Sequence, residues 1–221
     1  MIFSPDISSI VFDMDGVLWH SSAIHTVAYR MVLEEAGLVM PDYATIAGRR
    51  TDEVMRHLVA SQRALMDGPA AKVAVAALTD AKQTRARQML RERPPLALGC
   101  AAVVGALARS KALALASSAS PDTVELFLQV SGTRSLFKAV VSGGDVAAAK
   151  PDPAIYIEAL RRLGCEPARA AVVEDAASGV RAARSAGIAF VVGIDGTATA
   201  DDLLAAGARH VVGTLQDLVA Q

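Results

Sequence analysis

Two aspartates, Asp13 and Asp15, follow an apolar run near the start of the chain and are the first residues that could perform chemistry. The run Ile10-Val11-Phe12 is typical of a buried strand, and Gly16 follows the two acids. Two carboxylates this close on a loop repel each other unless a cation or a shared proton relieves them. The pair therefore indicates either a reactive site or an ordinary turn after a strand, where aspartate and glycine are common.

Three further apolar runs are followed by polar residues suited to phosphate or metal chemistry. One run is followed by Ser117 and Ser118, the next by a proline-containing loop at Lys150, and a third by Glu174 and Asp175. Taken alone, each group has a simpler explanation as a turn, a surface lysine or a helix cap. Parallel strands, however, bring their carboxyl ends to one edge of a sheet. Acids gathered there predict a divalent cation, and Mg²⁺ is the usual partner of phosphate oxygens.

Composition and charge narrow the class of protein. The chain has 221 residues, of which 52% are hydrophobic and 20% charged, as expected for a globular protein with a sizeable core. A formal net charge of −1 and an aromatic share of 4% exclude a basic or stacking surface for nucleic acid. The two cysteines are typical of buried thiols in a reducing compartment. With no secretory signal and no bilayer-spanning run, we expect a cytoplasmic protein without membrane or nucleic-acid partners, as a monomer or weak homodimer.

The second half of the chain alternates apolar strands with helices, a pattern typical of βαβ units in a parallel sheet. The opening strand belongs to the same sheet, and a C-terminal helix is expected after the last strand. We therefore predict an α/β fold with a doubly wound, Rossmann-like parallel sheet. The later strands are predicted at residues 112–116, 139–142, 170–173, 189–192 and 210–212.

Three helices without a strand between them separate the opening strand from this alternation. Their apolar residues recur with helical spacing from Ile24, from Thr51 as an N-cap, and from Ala70. We predict that they form a small helical cap over the strand ends. The boundaries expected are a core domain of residues 1–19 and 93–221 and a cap domain of residues 20–92.

The polar motifs and their order resemble those of the haloacid dehalogenase superfamily of phosphatases and phosphomutases. The first motif is similar to Asp13-Met14-Asp15-Gly16-Val17, the second to Ser117, the third to Lys150-Pro151 and the fourth to Glu174-Asp175. The helical insertion lies where the type-1 cap of that superfamily lies. The chain is most similar to the branch of β-phosphoglucomutase and phosphoglycolate phosphatase. The four motifs span most of the chain and identify the superfamily, but they name no substrate.

The resemblance implies a role for each motif residue. Asp13 would be the nucleophile that forms an aspartyl-phosphate, and Asp15 would protonate the leaving alcohol and then activate water. Ser117 and Lys150 would bind the oxygens of the transferring phosphoryl group, and Ser118 is a further candidate for phosphate binding.

The same resemblance implies a Mg²⁺ cofactor and a phosphorylated small molecule as substrate. We expect a Mg²⁺-dependent phosphatase that hydrolyses a sugar phosphate or a similar phosphomonoester through an aspartyl-phosphate. A phosphomutase like β-phosphoglucomutase and a non-catalytic binding module remain alternatives. The metal ligands would be the Asp13 carboxylate, the Asp15 backbone carbonyl, Asp175, and Glu174 directly or through water.

Residues of the cap are expected to select the substrate. His25 matches a histidine that superfamily relatives use near the substrate, although a single helical histidine is often a packing residue. Arg49 and Arg50 lie in a loop that corresponds to a substrate-contacting loop, with a solvated charge pair as the alternative. The basic residues of the third cap helix, Lys82 among them, are expected on a solvated face.

Overall fold

A six-stranded parallel sheet lies at the centre of the protein. The computed structural model describes residues 2–62 and 68–220. The strand order is β3-β2-β1-β4-β5-β6, and every neighbouring pair is parallel. This order confirms the predicted doubly wound, Rossmann-like fold. The strands are β1 Ser9–Phe12, β2 Ala112–Ala116, β3 Ala139–Val141, β4 Ala170–Glu174, β5 Phe190–Ile194 and β6 His210–Val212.

The central strands are apolar throughout because helices cover both faces of the sheet. Ile10 and Phe12 of β1 are fully buried in one apolar cluster, whereas Val11 between them is buried in the other. Residues of β2 alternate between the same two clusters. The sheet is therefore a middle layer between two cores, and its chemistry is confined to the strand ends.

Helices flank the sheet. In the described ranges 2–62 and 68–220, no helix is long and apolar enough to cross a bilayer. The helix predicted after the last strand is a short 3₁₀ helix over Leu215–Leu218, capped by Thr214 and Asp217. The helices are α1 Ser22–Glu35, α2 Thr51–Gln62, α3 Gly68–Glu92, α4 Cys100–Ala108, α5 Pro121–Ser131, α6 Ala154–Leu163, α7 Ala177–Ser185 and α8 Ala200–Ala206.

Helices α1, α2 and α3 form a helical insertion between β1 and α4, with an apolar cluster of its own that includes Leu33, Met55 and Leu58. Two chain segments connect the insertion to the rest of the protein, and they lie side by side. Trp19 in the first pairs with Leu96 in the second as an antiparallel bridge. The insertion is therefore attached along one short, ordered seam that adjoins the carboxyl end of β1.

Candidate active site

Asp13 lies at the carboxyl end of β1, where the neighbouring strand β4 ends in Glu174. The two strands are in register, and the Asp13 amide donates to the carbonyl of Val173 over 3.0 Å. Lys150 reaches both acids from its loop, since its Nζ lies 2.5 Å from Asp13 Oδ1 and 2.6 Å from Glu174 Oε1. All three charged side chains are buried. The predicted nucleophile, lysine and acid therefore meet in one ion-paired group.

Tyr156 completes this group and was not singled out from the sequence. Its hydroxyl donates to Glu174 Oε1 over 2.7 Å, and its ring centroid lies 5.1 Å from Lys150 Nζ. Tyr156 lies on the buried face of α6, the helix that follows the lysine loop. A buried tyrosine on an amphipathic helix is usually a packing residue, so the sequence pattern offered no signal for this role.

Acidic groups outnumber the lysine at this edge of the sheet. Burial raises the pKa of Asp13 well above its usual value despite the Lys150 charge, and Glu174 and Asp175 raise it further. Burial and Glu174 likewise raise the pKa of Asp175 to about 8. Burial alone would lower the pKa of Lys150, but Asp13 and Glu174 raise it well above its usual value. The protein therefore buries more acidic groups than basic ones here, and without a further cation it disfavours the ionisation of all of them at once.

The arrangement of the acids fits a divalent cation. One carboxylate oxygen from each of Asp13, Glu174 and Asp175 lies within 4.8 Å of the others. Oxygen ligands alone suit a hard cation such as Mg²⁺. Two glycines leave room for the acids, since a Cβ at Gly16 would lie 1.7 Å from Asp175 Oδ2 and one at Gly179 1.7 Å from Glu174 Oε1. The three oxygen donors and their close spacing are what such an ion requires.

Asp15 belongs to a different network, which connects the sheet to the helical insertion. Its Oδ1 accepts a hydrogen bond from Ser21 Oγ over 2.5 Å and lies 3.2 Å from His25 Nε2. Its Oδ2 accepts from Ser117 Oγ over 3.4 Å. Burial opposes ionisation, but these His25 and Ser21 contacts, with the charge of Lys82, lower the pKa of Asp15 below its usual value. Asp15 is therefore a carboxylate in this arrangement.

His25 links Asp15 to Lys82 on α3. Lys82 Nζ lies 3.2 Å from His25 Nδ1 and 4.3 Å from the ring centroid of Tyr29. Because a lysine ammonium can only donate, Nδ1 accepts and Nε2 carries the hydrogen that Asp15 receives. Burial and the Lys82 charge lower the pKa of His25, which favours this neutral imidazole at pH 7.

The prediction of a solvated face on α3 was wrong for Lys82, which is only 5% exposed. Burial lowers the pKa of Lys82 to about 8. The residue shares the buried stripe of α3 with Ala86 and Leu90, at spacings of four residues. That spacing was visible in the sequence, but a charged residue on the stripe was assigned to solvent by its type alone.

A cavity of about 60 Å³ lies between the two aspartates and the helical insertion. Of the residues predicted to bind substrate or phosphate, His25, Arg49 and Ser118 line it. Ser117 is fully buried behind it, where its Oγ accepts from the amide of Ala119 over 3.1 Å. Arg50 is not among the lining residues, because its guanidinium pairs with other partners. The substrate roles of these residues remain predictions.

The family of the chain follows from a comparison with known proteins. A family model described as haloacid dehalogenase-like hydrolase matches residues 7–187. The chain belongs to this family. The match confirms the superfamily that the four motifs indicated.

Two similar proteins have names that state an activity. The "phosphorylated carbohydrates phosphatase" of Thermotoga maritima is 32% identical over 213 residues, covering 92% of this chain and 93% of the relative. The "fructose-1-phosphate phosphatase YqaB" of Escherichia coli is 30% identical over 184 residues, covering 82% of this chain and 93% of the relative. Together with the family, they confirm the predicted enzyme class, a phosphoric monoester hydrolase, over the non-catalytic alternative.

Solved structures share the whole architecture. CbbY from Rhodobacter sphaeroides, in complex with xylulose-(1,5)bisphosphate, is 27% identical with a TM-score of 0.81, and the match covers 96% of each chain. A β-phosphoglucomutase from Clostridium difficile is 20% identical with a TM-score of 0.82, covering 96% of this chain and 93% of that one. At that identity the second likeness shows the fold alone.

We expect Lys82→Met to stabilise the protein and to impair turnover. Lysine ordinarily has a pKa of 10.5, and burial has lowered the pKa of Lys82 to about 8. The unfolded state therefore holds the proton more tightly, and below pH 8 the buried charge costs about 1–3 kcal/mol. Urea unfolding at pH 7 should show the variant more stable by about that amount, with kcat/KM at least about tenfold lower because His25 loses its partner.

The matched control is Lys72→Met, at an exposed lysine of the same helix. This substitution should change neither the free energy of unfolding nor kcat/KM. The stability of the wild type should also rise towards that of Lys82→Met between pH 8 and pH 10.5, as the lysine loses its proton. A Lys82→Met protein that is less stable than the wild type at pH 7 would contradict the burial cost.

We expect Gly179→Ala to displace Glu174, because the added Cβ would overlap the Glu174 carboxylate. Such overlap in a packed interior costs about 1–3 kcal/mol. Both the free energy of unfolding and the turnover with Mg²⁺ should fall. Gly196→Ala is the control, since a Cβ there meets no atom within 4 Å. Equal effects of the two substitutions would show that room beside Glu174 is unimportant.

Proposed function

We propose that this protein is a Mg²⁺-dependent phosphatase that hydrolyses a small phosphorylated sugar through an aspartyl-phosphate on Asp13. The observation that carries the proposal is the ion pair between Lys150 and Asp13, placed beside Glu174 and Asp175 at the carboxyl end of β1. The names of the two phosphatase relatives, which refer to fructose 1-phosphate and phosphorylated carbohydrates, support a sugar phosphate as the substrate class.

In the first half of the reaction, a carboxylate oxygen of Asp13 would attack phosphorus. The bond between phosphorus and the alcohol oxygen breaks, and Asp15 donates a proton to that oxygen as it leaves. Lys150 and the serines after β2, Ser117 and Ser118, bind the phosphoryl oxygens. The Lys150 ammonium thereby offsets the repulsion between the phosphate and the attacking carboxylate.

Asp15 must take up the proton for that step from solvent water, because its carboxyl group is ionised before substrate binds. Hydrogen bonds from His25 and Ser21 lower the pKa of Asp15 in the arrangement described. A phosphate dianion beside Asp15 would act in the opposite direction and raise that pKa. Arrival of the substrate would thus favour the protonated acid that the first half needs.

In the second half, water would attack the phosphorus of the aspartyl-phosphate. Asp15, now a carboxylate, takes a proton from that water, and the Asp13 carboxylate is released together with inorganic phosphate. His25 keeps Asp15 oriented through both halves, because its Nε2–H points at Oδ1 and its Nδ1 accepts from Lys82.

The acids after β1 and β4 would hold the metal ion. Carboxylates of Asp13, Glu174 and Asp175, with the backbone carbonyl of Asp15, are the proposed ligands. When bound, Mg²⁺ would favour the ionised form of these acids and would stabilise the charge on the transferring phosphoryl group. Burial and the neighbouring acids raise the pKa of Asp13 and of Asp175, and a cation bound among the carboxyl groups would lower both pKa values towards their usual range.

We also propose the domain boundaries predicted from the sequence, with residues 1–19 and 93–221 as the core and 20–92 as the cap. The separate apolar cluster of the helical insertion supports this division. So does the paired seam, in which the His20 amide donates to the Pro95 carbonyl over 2.7 Å and the Ala97 amide to the Leu18 carbonyl over 3.0 Å.

A phosphomutase is the second candidate, and Arg49 is the observation that favours it. Arg49 lines the same cavity as Ser118 and Ser120, and a guanidinium there suits a second phosphate. The assay that separates the two activities uses a panel of sugar phosphates, with a sugar 1-phosphate offered both with and without its bisphosphate. Release of inorganic phosphate without bisphosphate supports the phosphatase. Isomerised sugar phosphate that appears only with bisphosphate supports the mutase.

We expect Asp13→Asn to lose activity by at least about 1,000-fold, or about 4 kcal/mol of transition-state stabilisation, because the amide cannot attack phosphorus. The measurement is phosphate release from a sugar phosphate in the presence of Mg²⁺. Wild-type activity should also disappear with a chelator and return when Mg²⁺ is added in excess. Mass spectrometry of the quenched wild type should find the transient phosphoryl group on Asp13.

The control substitution is Asp6→Asn, which removes an exposed carboxylate near the start of the chain and should leave activity unchanged. Mg²⁺-dependent turnover that persists in Asp13→Asn would refute the assignment of the nucleophile. Turnover that is unaffected by the chelator would refute the cofactor.

A further inference from the structure

We propose that Arg50 holds the helical insertion against the loop that carries Lys150, and so acts as a positioning residue instead of a substrate ligand. The effect on catalysis rests on the proposed function, whereas the effect on the loop does not. The decisive observation is a set of hydrogen bonds from one guanidinium to backbone carbonyls of that loop.

Arg50 immediately precedes α2 and is oriented by an acid in the first turn of that helix. Its Nε and Nη2 donate to the two carboxylate oxygens of Asp52, over 3.0 Å and 3.3 Å. This forked pair fixes the plane of the guanidinium. Nη1 is then aimed away from α2 and donates to the carbonyls of Val146, over 3.0 Å, and Ala147, over 3.4 Å. With 23% of its side chain exposed, Arg50 is largely enclosed between the two parts of the protein.

The loop that Arg50 contacts is anchored at both of its ends. At its start, Asp145 accepts from the Ser142 amide over 2.8 Å and from Arg162 Nη2 over 2.6 Å. At its end, Lys150 reaches Asp13. Between these anchors, Arg50 donates to the carbonyls of Val146 and Ala147, four and three residues before Lys150. Arg50 therefore joins the placement of the insertion to the placement of the lysine.

The size of the cavity shows why the Arg50 contacts between the insertion and the lysine loop matter for turnover. About 60 Å³ accommodates only a few water molecules, which is too little for a phosphorylated sugar. Binding of a phosphorylated sugar at both aspartates would therefore require the insertion to lie further from the sheet than in this arrangement, and to return during turnover. Breaking and remaking the Arg50 contacts with each turnover would couple the return of the insertion to the ordering of the Lys150 loop.

Hydrogen–deuterium exchange of the protein without substrate tests this coupling. In Arg50→Ala, backbone amides of residues 143–150 should exchange about tenfold faster, which is the effect of losing one charged hydrogen bond. A residue that only binds substrate would leave this exchange unchanged. Unaltered exchange at residues 143–150 in Arg50→Ala overturns the proposal.

The matched control is Arg56→Ala. Arg56 pairs with the same acid, its Nη2 lying 3.1 Å from Asp52 Oδ2, but 63% of its side chain is exposed. Its removal should leave the loop as protected as in the wild type. Loop exchange that rises as much in Arg56→Ala as in Arg50→Ala would attribute the effect to Asp52 and overturn the proposal. Unchanged exchange in β1 and β4 shows that each variant is folded. Arg50→Met, which keeps the apolar stem, replaces Arg50→Ala if that variant does not fold.

Measurements of kcat/KM are the second part of the test. A positioning residue acts on the site before any particular substrate is present, so kcat/KM of Arg50→Ala should fall by a similar factor, about tenfold, for a simple aryl phosphate and for a sugar phosphate. A loss confined to the sugar phosphate would mark Arg50 as a substrate ligand and overturn the proposal. If the wild type hydrolyses neither compound, the proposed function fails, and the exchange measurement alone decides the role of Arg50.

Discussion

Crowding of buried carboxyl groups at the carboxyl ends of β1 and β4 is the constraint on which the rest of the site depends. Asp13, Glu174 and Asp175 crowd into a space of a few ångströms, and Lys150 neutralises only part of their charge. Water cannot screen charges at this depth, so each carboxylate raises the cost of ionising the next. A protein keeps such an arrangement only where it has a use for the positive charge that the acids attract.

The fold supplies this arrangement through ordinary features of a parallel sheet. Register between β1 and β4 brings Asp13 beside Glu174, and two glycines allow the acids to approach the backbone. A second set of contacts, from Ser21 and His25, holds Asp15 apart from the acid cluster. The two aspartates lie two residues apart in the chain but have opposite pKa shifts, because one faces the cluster and the other faces the helical insertion. Their different environments suit different tasks in one reaction.

Much of this was predictable from the sequence, since strand ends and motif order involve residues close together in the chain. The sheet, the acid cluster and its lysine follow from apolar runs that end in polar residues. Contacts between distant elements were harder to predict. Lys82 shares a buried stripe with Ala86 and Leu90, but a lysine is so rarely buried that its type alone predicts a place in solvent. The partners of Arg50 depend on how the insertion packs against a loop 96 residues away, which no local pattern contains.

The stability of the protein as a function of Mg²⁺ concentration tests the central claim most directly. An ion that relieves the buried charge binds the folded state alone, so the free energy of unfolding should rise by about 2.7 kcal/mol at a concentration of 100 Kd. Asp175→Asn removes a carboxyl group whose pKa burial and Glu174 raise to about 8, and with it the cost of keeping that group protonated at pH 7. Without Mg²⁺ this variant should be at least as stable as the wild type at pH 7. Its free energy of unfolding should rise much less than that of the wild type when Mg²⁺ is added. A wild type whose unfolding does not respond to Mg²⁺, together with an Asp175→Asn protein that is less stable in its absence, would contradict the account.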